Sequence, residues 1–153
     1  MDTQRDIPLI ALLSRVKDAV AEELFSRLTE LGFAELRPAH GCVFGNIEDR
    51  GSRLTDLAER SGFTKQSVGE AVADLERLGF VERVRDPADG RAKIIQLTAH
   101  GRDALTASEE IFADIERRFT DEIGRERYLQ FRQTLLDLHG LTQASPAPVR
   151  RAA

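Results

Sequence analysis

Residues 52–101 read SRLTDLAERSGFTKQSVGEAVADLERLGFVERVRDPADGRAKIIQLTAHG, and this segment carries the most specific structural signals in the chain. Apolar residues recur at three- and four-residue steps over 52–60 and again over 65–78, which predicts two amphipathic helices. Residues 61–64 between them are few enough for a tight turn, and Thr64 can cap the second helix. Two helices joined in this way form a helix-turn-helix.

The period of the sequence changes after Gly79. Residues 80–85 and 93–97 are rich in Val or Ile, and they flank a polar stretch that contains Pro87 and Gly90. This pattern predicts a β-hairpin with a polar tip. Because the hairpin directly follows a helix-turn-helix, we expect it to form a wing.

Longer helices are expected on both sides of this unit. Segments 9–31, 38–47, 98–123 and 125–141 each carry apolar residues at helical spacing, and Thr98 can cap the third of them. The predicted fold is mainly α with a small β-hairpin wing, that is, a winged helix-turn-helix with flanking dimerisation helices. We expect one domain over residues 1–153. Within it, the winged unit covers about 36–98, the dimerisation helices about 7–32 and 99–141, and a frayed tail 142–153.

Composition excludes several classes of protein. The chain has 153 residues with 22 basic and 26 acidic side chains, for a formal net charge of −4. Its single cysteine, Cys42, permits neither an internal disulfide nor a zinc cluster built on thiols, and we expect a packed core thiol there. No apolar run is long enough for a membrane span, so a cytoplasmic protein is expected. No catalytic motif is present, and the sequence predicts neither an enzyme nor a metal or cofactor site.

The stretch 54–68, the stretch 74–83, the wing residues Asp89-Gly90-Arg91 and the following Leu97-Thr98 with Gly101 together resemble the MarR family of bacterial transcription regulators. The resemblance implies a homodimeric DNA-binding regulator, expected to be a repressor, that binds a pseudo-palindromic operator in double-stranded DNA. It implies recognition helices in successive major grooves, wings in the minor groove, and release by a small-molecule ligand.

Candidate DNA-binding residues follow from the resemblance and from the chemistry of the segment. The start of the second helix offers free backbone N–H groups for a phosphate, and a Gln there can bond an adenine. Many relatives have an arginine where this chain has Glu70. In the wing, we expect Asp89 to brace the Arg91 guanidinium by a charge-assisted bond. The candidates are Thr64, Lys65, Gln66, Ser67, Glu70, Arg83, Arg85, Asp89, Arg91 and Lys93.

The charge distribution is modest support for this assignment. Residues 52–97 carry eight basic and eight acidic side chains, so all of the excess acidity lies elsewhere in the chain. A basic stripe would have been a stronger indication of nucleic-acid binding.

A ligand site is expected where this family usually has one, between the dimer helices and the winged unit. The predicted lining suits a small aromatic or phenolic acid, with His40 or Arg102 near the carboxylate. The candidates are Leu24, Leu28, His40, Phe44 and Arg102.

The last predicted helix carries an apolar stripe, Tyr128, Phe131, Leu135 and Leu138, which we interpret as the core of a homodimer. An alternative function is a winged-helix protein–protein adaptor that dimerises without reading DNA. Glu70 and the neutral winged unit leave room for that alternative, and DNA binding at two salt concentrations separates the two.

Overall fold

The computed structural model describes residues 6–144, and the part of the predicted frayed tail beyond residue 144 lies outside them. The described chain is mainly α-helical with one two-stranded antiparallel hairpin, which confirms the predicted fold class. In order, the elements are α1 (Leu9–Glu30), a 3-10 turn (Pro38–His40), α2 (Gly41–Phe44), α3 (Leu54–Ser61), α4 (Lys65–Arg77), β1 (Val81–Arg85), β2 (Lys93–Leu97), α5 (Ala99–Ile123) and α6 (Arg125–Ala144).

The turn of the helix-turn-helix forms as its sequence predicts. Gly62 ends α3 with φ +70°, a left-handed conformation that glycine adopts without a steric penalty. Two residues later the Thr64 hydroxyl accepts a hydrogen bond from the backbone N–H of Ser67 at 3.1 Å, which confirms the predicted cap. These two local signals set where α3 stops and α4 begins.

The core of the winged unit is built from the inward faces of its helices and strands. Its fully buried side chains include Val43, Leu57, Val68, Val72, Leu75 and Phe80. The first turn of α5 packs directly on this core, because a Cβ at Gly101 would lie 2.0 Å from the carbonyl oxygen of Phe80. Thr98 caps that turn as predicted by accepting from the backbone N–H of Gly101. Gly101 is therefore required for the close contact.

Two predicted helices are wrong in their extent. Segment 38–47 is a 3-10 turn followed by the four-residue α2, which ends at Phe44; Gly45 follows it, and the Asn46 side chain donates to the Cys42 carbonyl. A poor helix former next to an amide that satisfies a terminal carbonyl stops the helix early. The last helix, α6, was predicted to end at residue 141 and continues three residues further, to Ala144.

A third predicted helix, expected from residue 52, is wrong at its start. Ser52 instead exchanges two backbone hydrogen bonds with Ile95 of β2, and α3 starts at Leu54. Gly51 makes this pairing possible, since it has φ +87° and a Cβ there would lie 2.8 Å from the Ile95 carbonyl oxygen. The segment before α3 therefore pairs with the wing through one residue, Ser52, which lies beside β2.

The hairpin pairs Val81 with Leu97 at its base and Arg85 with Lys93 at its tip. Val81, Ile94 and Ile95 are buried, whereas the charged side chains of both strands stay exposed. Ile94 and Ile95 are consecutive and therefore face opposite sides of the hairpin, so each face has a buried position.

The chain forms two compact units, one up to Phe112 and the other from Ala113 onward. In the second unit Ile115 is buried and the Arg132 guanidinium lies 3.5 Å from Glu116, but most apolar side chains of α6 are exposed. That the whole chain acts as one domain stays a prediction. Within residues 6–144, no helix is both long and apolar enough to cross a membrane.

Candidate nucleic-acid interface and effector cavity

The first turn of α4 presents the predicted recognition residues to solvent. Thr64, Lys65, Gln66 and Ser67 are all exposed, and Glu70 lies one turn further on the same helix. The Gln66 amide nitrogen donates to the Glu70 carboxylate at 3.1 Å. This bond orients the Gln66 amide and leaves its oxygen and one N–H available, the pair of groups that an adenine edge requires. Glu70 is thus placed beside the amide as well as toward solvent.

The structure divides the eight basic residues of segment 52–97 into two sets of four. Those of the first set form ion pairs within the segment or with a residue just before it: Arg53 with Asp86, Arg60 with Glu48, Arg77 with Asp74, and Arg83 with Glu76. The others make no ion pair with any residue that the structure describes: Lys65, Arg85, Arg91 and Lys93. All four are exposed, at the start of α4 or in the wing.

Arg83 was predicted as a DNA contact, and the structure gives it an internal partner. Its Nε donates to Glu76 at the end of α4, at 3.2 Å. Arg85 and Lys93, in contrast, are directly opposite each other in the hairpin. Two like charges in that position repel, and an anion placed between them would relieve the repulsion. The wing is therefore better suited to a phosphate at its tip than at its base.

The predicted bond between Asp89 and the Arg91 guanidinium is wrong. Asp89 Oδ1 accepts instead from the backbone N–H of Arg91 at 3.1 Å, and Asp89 Oδ2 lies 3.8 Å from the Arg53 guanidinium. An aspartate two residues before a backbone N–H forms an Asx turn, which is favoured locally over a longer side-chain pairing. Asp89 thus shapes the tip of the wing, and the Arg91 side chain extends from it exposed.

Arg53 and Asp86 were missed by sequence reasoning. Arg53 Nε and Nη2 both donate to Asp86 Oδ2, at 2.9 and 2.5 Å. The side-chain bond with Arg53, followed by the backbone N–H of Ala88, holds the pKa of the Asp86 carboxyl below its usual range. No pattern of spacing could indicate this pair, because its members lie in different elements and are 33 positions apart.

A cavity of about 500 Å³ lies in the first unit, between α1, α2 and the first half of α5. Four of the five predicted ligand-site residues line it: Leu24, Leu28, His40 and Phe44. Arg102 does not. It lines a neighbouring, more polar cavity and donates to the Leu97 carbonyl at 2.7 Å. The ligand-binding role of the four lining residues stays a prediction.

His40 has no nitrogen left for a ligand carboxylate. Its Nδ1 accepts from the backbone N–H of Arg37 at 3.1 Å, and its Nε2 lies 2.9 Å from Asp74 of α4. Because Nδ1 is an acceptor, the proton of a neutral ring is on Nε2 and is donated to Asp74. The bonds with Arg77 and then His40 hold the pKa of the Asp74 carboxyl below its usual value. His40 therefore forms part of the cavity wall and ties it to the recognition helix.

The charged side chains that do line the cavity are Arg37, Asp49 and Glu109. Arg37 is exposed and, within residues 6–144, has no ion pair. The rest of the wall is largely apolar, with Phe25, Phe44 and Phe112 among its members. Such a lining suits an aromatic ring with one acidic and one hydrogen-bond-donating end.

The single thiol is placed in the core of the winged unit. Cys42 is buried, and its Sγ donates to the Ala39 carbonyl at 3.1 Å. Burial raises the pKa of the Cys42 thiol, which lowers the fraction present as reactive thiolate. No group of three or more metal-ligating side chains occurs among the described residues.

Known proteins similar to this chain have the same architecture. A sequence profile of the MarR family matches residues 34–92. Transcriptional regulator HosA of Escherichia coli O111:H- is 29% identical over 97 residues, which span 63% of this chain and 72% of HosA. The crystal structure of CouR from Rhodococcus jostii RHA1 bound to p-coumaroyl-CoA is 27% identical with a TM-score of 0.67, covering 92% of this chain and 94% of CouR. A MarR-family transcriptional regulator from Rhodococcus sp. RHA1 is 26% identical with a TM-score of 0.66, covering 90% and 94%.

A helix-turn-helix followed by a hairpin, with exposed cations on both, is typical of winged-helix DNA-binding proteins. Residues 34–92 match the MarR family of bacterial winged helix-turn-helix transcription regulators, and the chain resembles a member of that family over nine-tenths of its length. The relatives named above are regulators of transcription and not enzymes.

Proposed function

We propose that this regulator is a cytoplasmic homodimer that binds a pseudo-palindromic DNA operator, represses transcription there, and leaves the DNA when a small molecule occupies its cavity. One observation supports DNA as the partner most strongly. Of the eight cations in residues 52–97, the four that lack an ion pair among the described residues are Lys65, Arg85, Arg91 and Lys93. They lie where a recognition helix and a wing contact a duplex.

The paired cations explain how a neutral unit can bind a polyanion. Four carboxylates neutralise Arg53, Arg60, Arg77 and Arg83, so these arginines hold the unit together instead of contributing to its outer charge. The unpaired cations keep their charge for phosphate. Net charge alone understates the attraction, because what counts is which charges remain free at the surface that faces the DNA.

A substitution at Arg91 tests the DNA-binding function of the wing. A duplex is first selected by the wild-type protein from a random pool, and binding is then measured by fluorescence anisotropy at two salt concentrations. Arg91→Ala should weaken binding by about 1–3 kcal/mol per contacted site and reduce the salt slope, because a minor-groove cation is lost. The matched control is Arg60→Gln, an arginine on α3 that is already paired with Glu48. Equal binding by Arg91→Ala and the wild type contradicts the wing assignment.

Two substitutions in the recognition helix, α4, distinguish base-specific contacts from contacts with the phosphate backbone. Gln66→Ala should relax discrimination at one base position per half-site, whereas Lys65→Ala should weaken all duplexes alike. Half-sites of a twofold dimer are expected about one helical turn, ~10 bp, apart. If the wild type prefers no duplex over any other, the protein–protein adaptor becomes the better description.

The homodimer is supported by apolar side chains that remain exposed in the single chain. Phe131 of α6 is 49% exposed and Leu138 is 39% exposed, and in α1 Ile10 is 71% exposed. Large apolar side chains repeated along long helices indicate a surface that a partner covers. A second copy covers it on both chains at once, since a twofold interface uses the same surface twice.

For the effector we propose a phenolic acid or its thioester. CouR was solved with p-coumaroyl-CoA, and this chain resembles it over nearly the whole length of both. In this chain Arg37 would take the acidic or carbonyl end, the phenylalanines would enclose the ring, and Asp49 or Glu109 would accept from a phenolic hydroxyl. Arg37 replaces His40 and Arg102 in the role that the sequence predicted for them.

A matched ligand series tests this assignment by thermal shift and by release from the selected duplex. p-Coumarate and p-coumaroyl-CoA carry both the ring hydroxyl and the acyl end, cinnamate lacks the hydroxyl, and 4-ethylphenol lacks the acid. Compounds with both ends should raise the melting temperature most, and Arg37→Gln should reduce that shift. No shift and no release with any of the four removes the phenolic effector, while leaving the DNA-binding function intact.

A further inference from the structure

Two consecutive residues before α3 hold both strands of the wing. The backbone of Ser52 donates to and accepts from Ile95 of β2, at 2.9 and 2.8 Å. The side chain of Arg53 bonds Asp86, which directly follows β1. The wing is therefore attached to the start of the helix-turn-helix at two points and not only through its covalent base.

The attachment at Asp86 is unusual for a hairpin tip. Asp86 is only 9% exposed, although Pro87, Ala88 and Asp89 after it are all exposed. Both of its carboxylate oxygens are occupied: Oδ2 by Arg53 and Oδ1 by the backbone N–H of Ala88 at 2.8 Å. An acid that is both buried and fully bonded fixes its surroundings, since any movement leaves bonded groups unsatisfied.

Hydrogen bonds lead from Asp86 to Arg91. The backbone N–H of Asp86 donates to the Ala92 carbonyl at 3.0 Å, and that of Ala92 donates to the Asp89 carbonyl at 2.8 Å. Asp89 in turn accepts from the N–H of Arg91. The backbone that carries Arg91 is thus held by a closed set of bonds, and Arg53 anchors this set to the helix-turn-helix.

We propose that Arg53 is a positioning residue for DNA binding, which holds Asp86 and thereby the loop that presents Arg91, without contacting DNA itself. This inference rests on the proposed DNA-binding function. It gives Arg53 a different role from Lys65, Arg85, Arg91 and Lys93, although all five carry the same charge.

Neutralising Asp86 distinguishes a positioning role of the Arg53–Asp86 pair from a purely electrostatic effect on DNA binding. Asp86→Asn removes a negative charge from the wing, so electrostatics alone predicts tighter binding to DNA. Positioning predicts the opposite, because the neutral amide is a weaker partner for the guanidinium. The two accounts therefore differ in the sign of the change and not merely in its size.

The test uses the full-length protein and a duplex selected by the wild type from a random pool, with anisotropy as the readout. Arg53→Gln and Asp86→Asn should each weaken binding by roughly tenfold, the loss expected when a charged hydrogen bond is removed. Their combination should be no weaker than either alone, since both break the same bond. Arg60→Gln removes the same charge from the other end of α3 and should bind within about twofold of the wild type. Circular dichroism melts identify any variant that fails to fold.

The decisive comparison is made in the Arg91→Ala background. There Asp86→Asn should have no further effect on binding, because the residue whose position it controls is already absent. A merely structural role would weaken binding by the same factor in both backgrounds, and that result overturns the proposal, as does unchanged or tighter binding by Asp86→Asn. A wild-type protein that selects no duplex overturns the DNA-binding function instead.

Discussion

The winged unit and helix α6 differ in how far their apolar side chains are buried and their charged side chains paired within one chain. Within the winged unit most large apolar residues are buried, although Phe63 in the turn is 59% exposed, and charged residues such as Asp74 and Asp86 have partners inside the unit. Along α6, Leu129, Phe131, Leu136 and Leu138 are between 39% and 54% exposed. A single copy of the chain buries most of the apolar side chains of the winged unit, whereas it leaves those of α6 largely exposed. This difference supports the proposed homodimer, because a second copy would cover the apolar side chains that α6 leaves exposed.

The largest expected effect comes from removing α6. Deleting residues 125–153 removes Tyr128, Phe131, Leu135 and Leu138, and each such side chain contributes roughly 1.5–3 kcal/mol when buried. We expect an aggregated or unfolded chain, measured by light scattering after size exclusion and by thermal melts. Deleting only residues 145–153 is the matched control and should leave a dimer. A soluble monomer with full thermal stability after the larger deletion would show that α6 is not an interface.

The same comparison shows what the sequence could predict. The caps at Thr64 and Thr98 and the hairpin all depend on neighbouring residues, and all three were found where expected. Local chemistry decides them, since a hydroxyl reaches an N–H three residues away and a polar turn reverses the chain.

Interactions across the fold could not be found in that way. His40 with Asp74 and Arg53 with Asp86 are separated by 34 and 33 positions, and either partner alone is an ordinary polar residue in its own segment. Only packing brings them together. For this reason the sequence predicted a ligand contact for His40, whose two ring nitrogens are both occupied within the fold, and did not indicate that Arg37 lines the cavity.

A smaller effect is expected from the internal pairs that complete the winged unit. The folded pKa of Asp74 lies below its unfolded value because of Arg77 first and His40 second. A depressed folded pKa stabilises the fold above the unfolded pKa, about 3.9, and this contribution is lost as the pH falls through the folded pKa. Asp74→Asn should therefore melt below the wild type at pH 7, and the difference should shrink as the pH is lowered from about 5 to 2.

Thermal melts monitored by circular dichroism across that pH range measure the effect. Asp103→Asn serves as the control, because Asp103 is an exposed aspartate on α5. A constant difference between Asp74→Asn and the wild type at all pH values would mean that the substitution acts through packing and not through the charge of the carboxylate.

The smallest expected effect tests whether the core of the winged unit shields the Cys42 thiol from oxidants. Cys42 is buried, its Sγ donates to the Ala39 carbonyl, and burial raises the pKa of the thiol, so little thiolate is available to an oxidant. Cys42→Ser should keep DNA binding unchanged and should lower the melting temperature only modestly, since serine can make the same bond in a slightly smaller volume. Peroxide should leave DNA binding by the wild type unaffected as well. Loss of binding after peroxide in the wild type, absent in Cys42→Ser, would show that the thiol is accessible, and the winged unit would then be an oxidant sensor whose core opens under ordinary conditions.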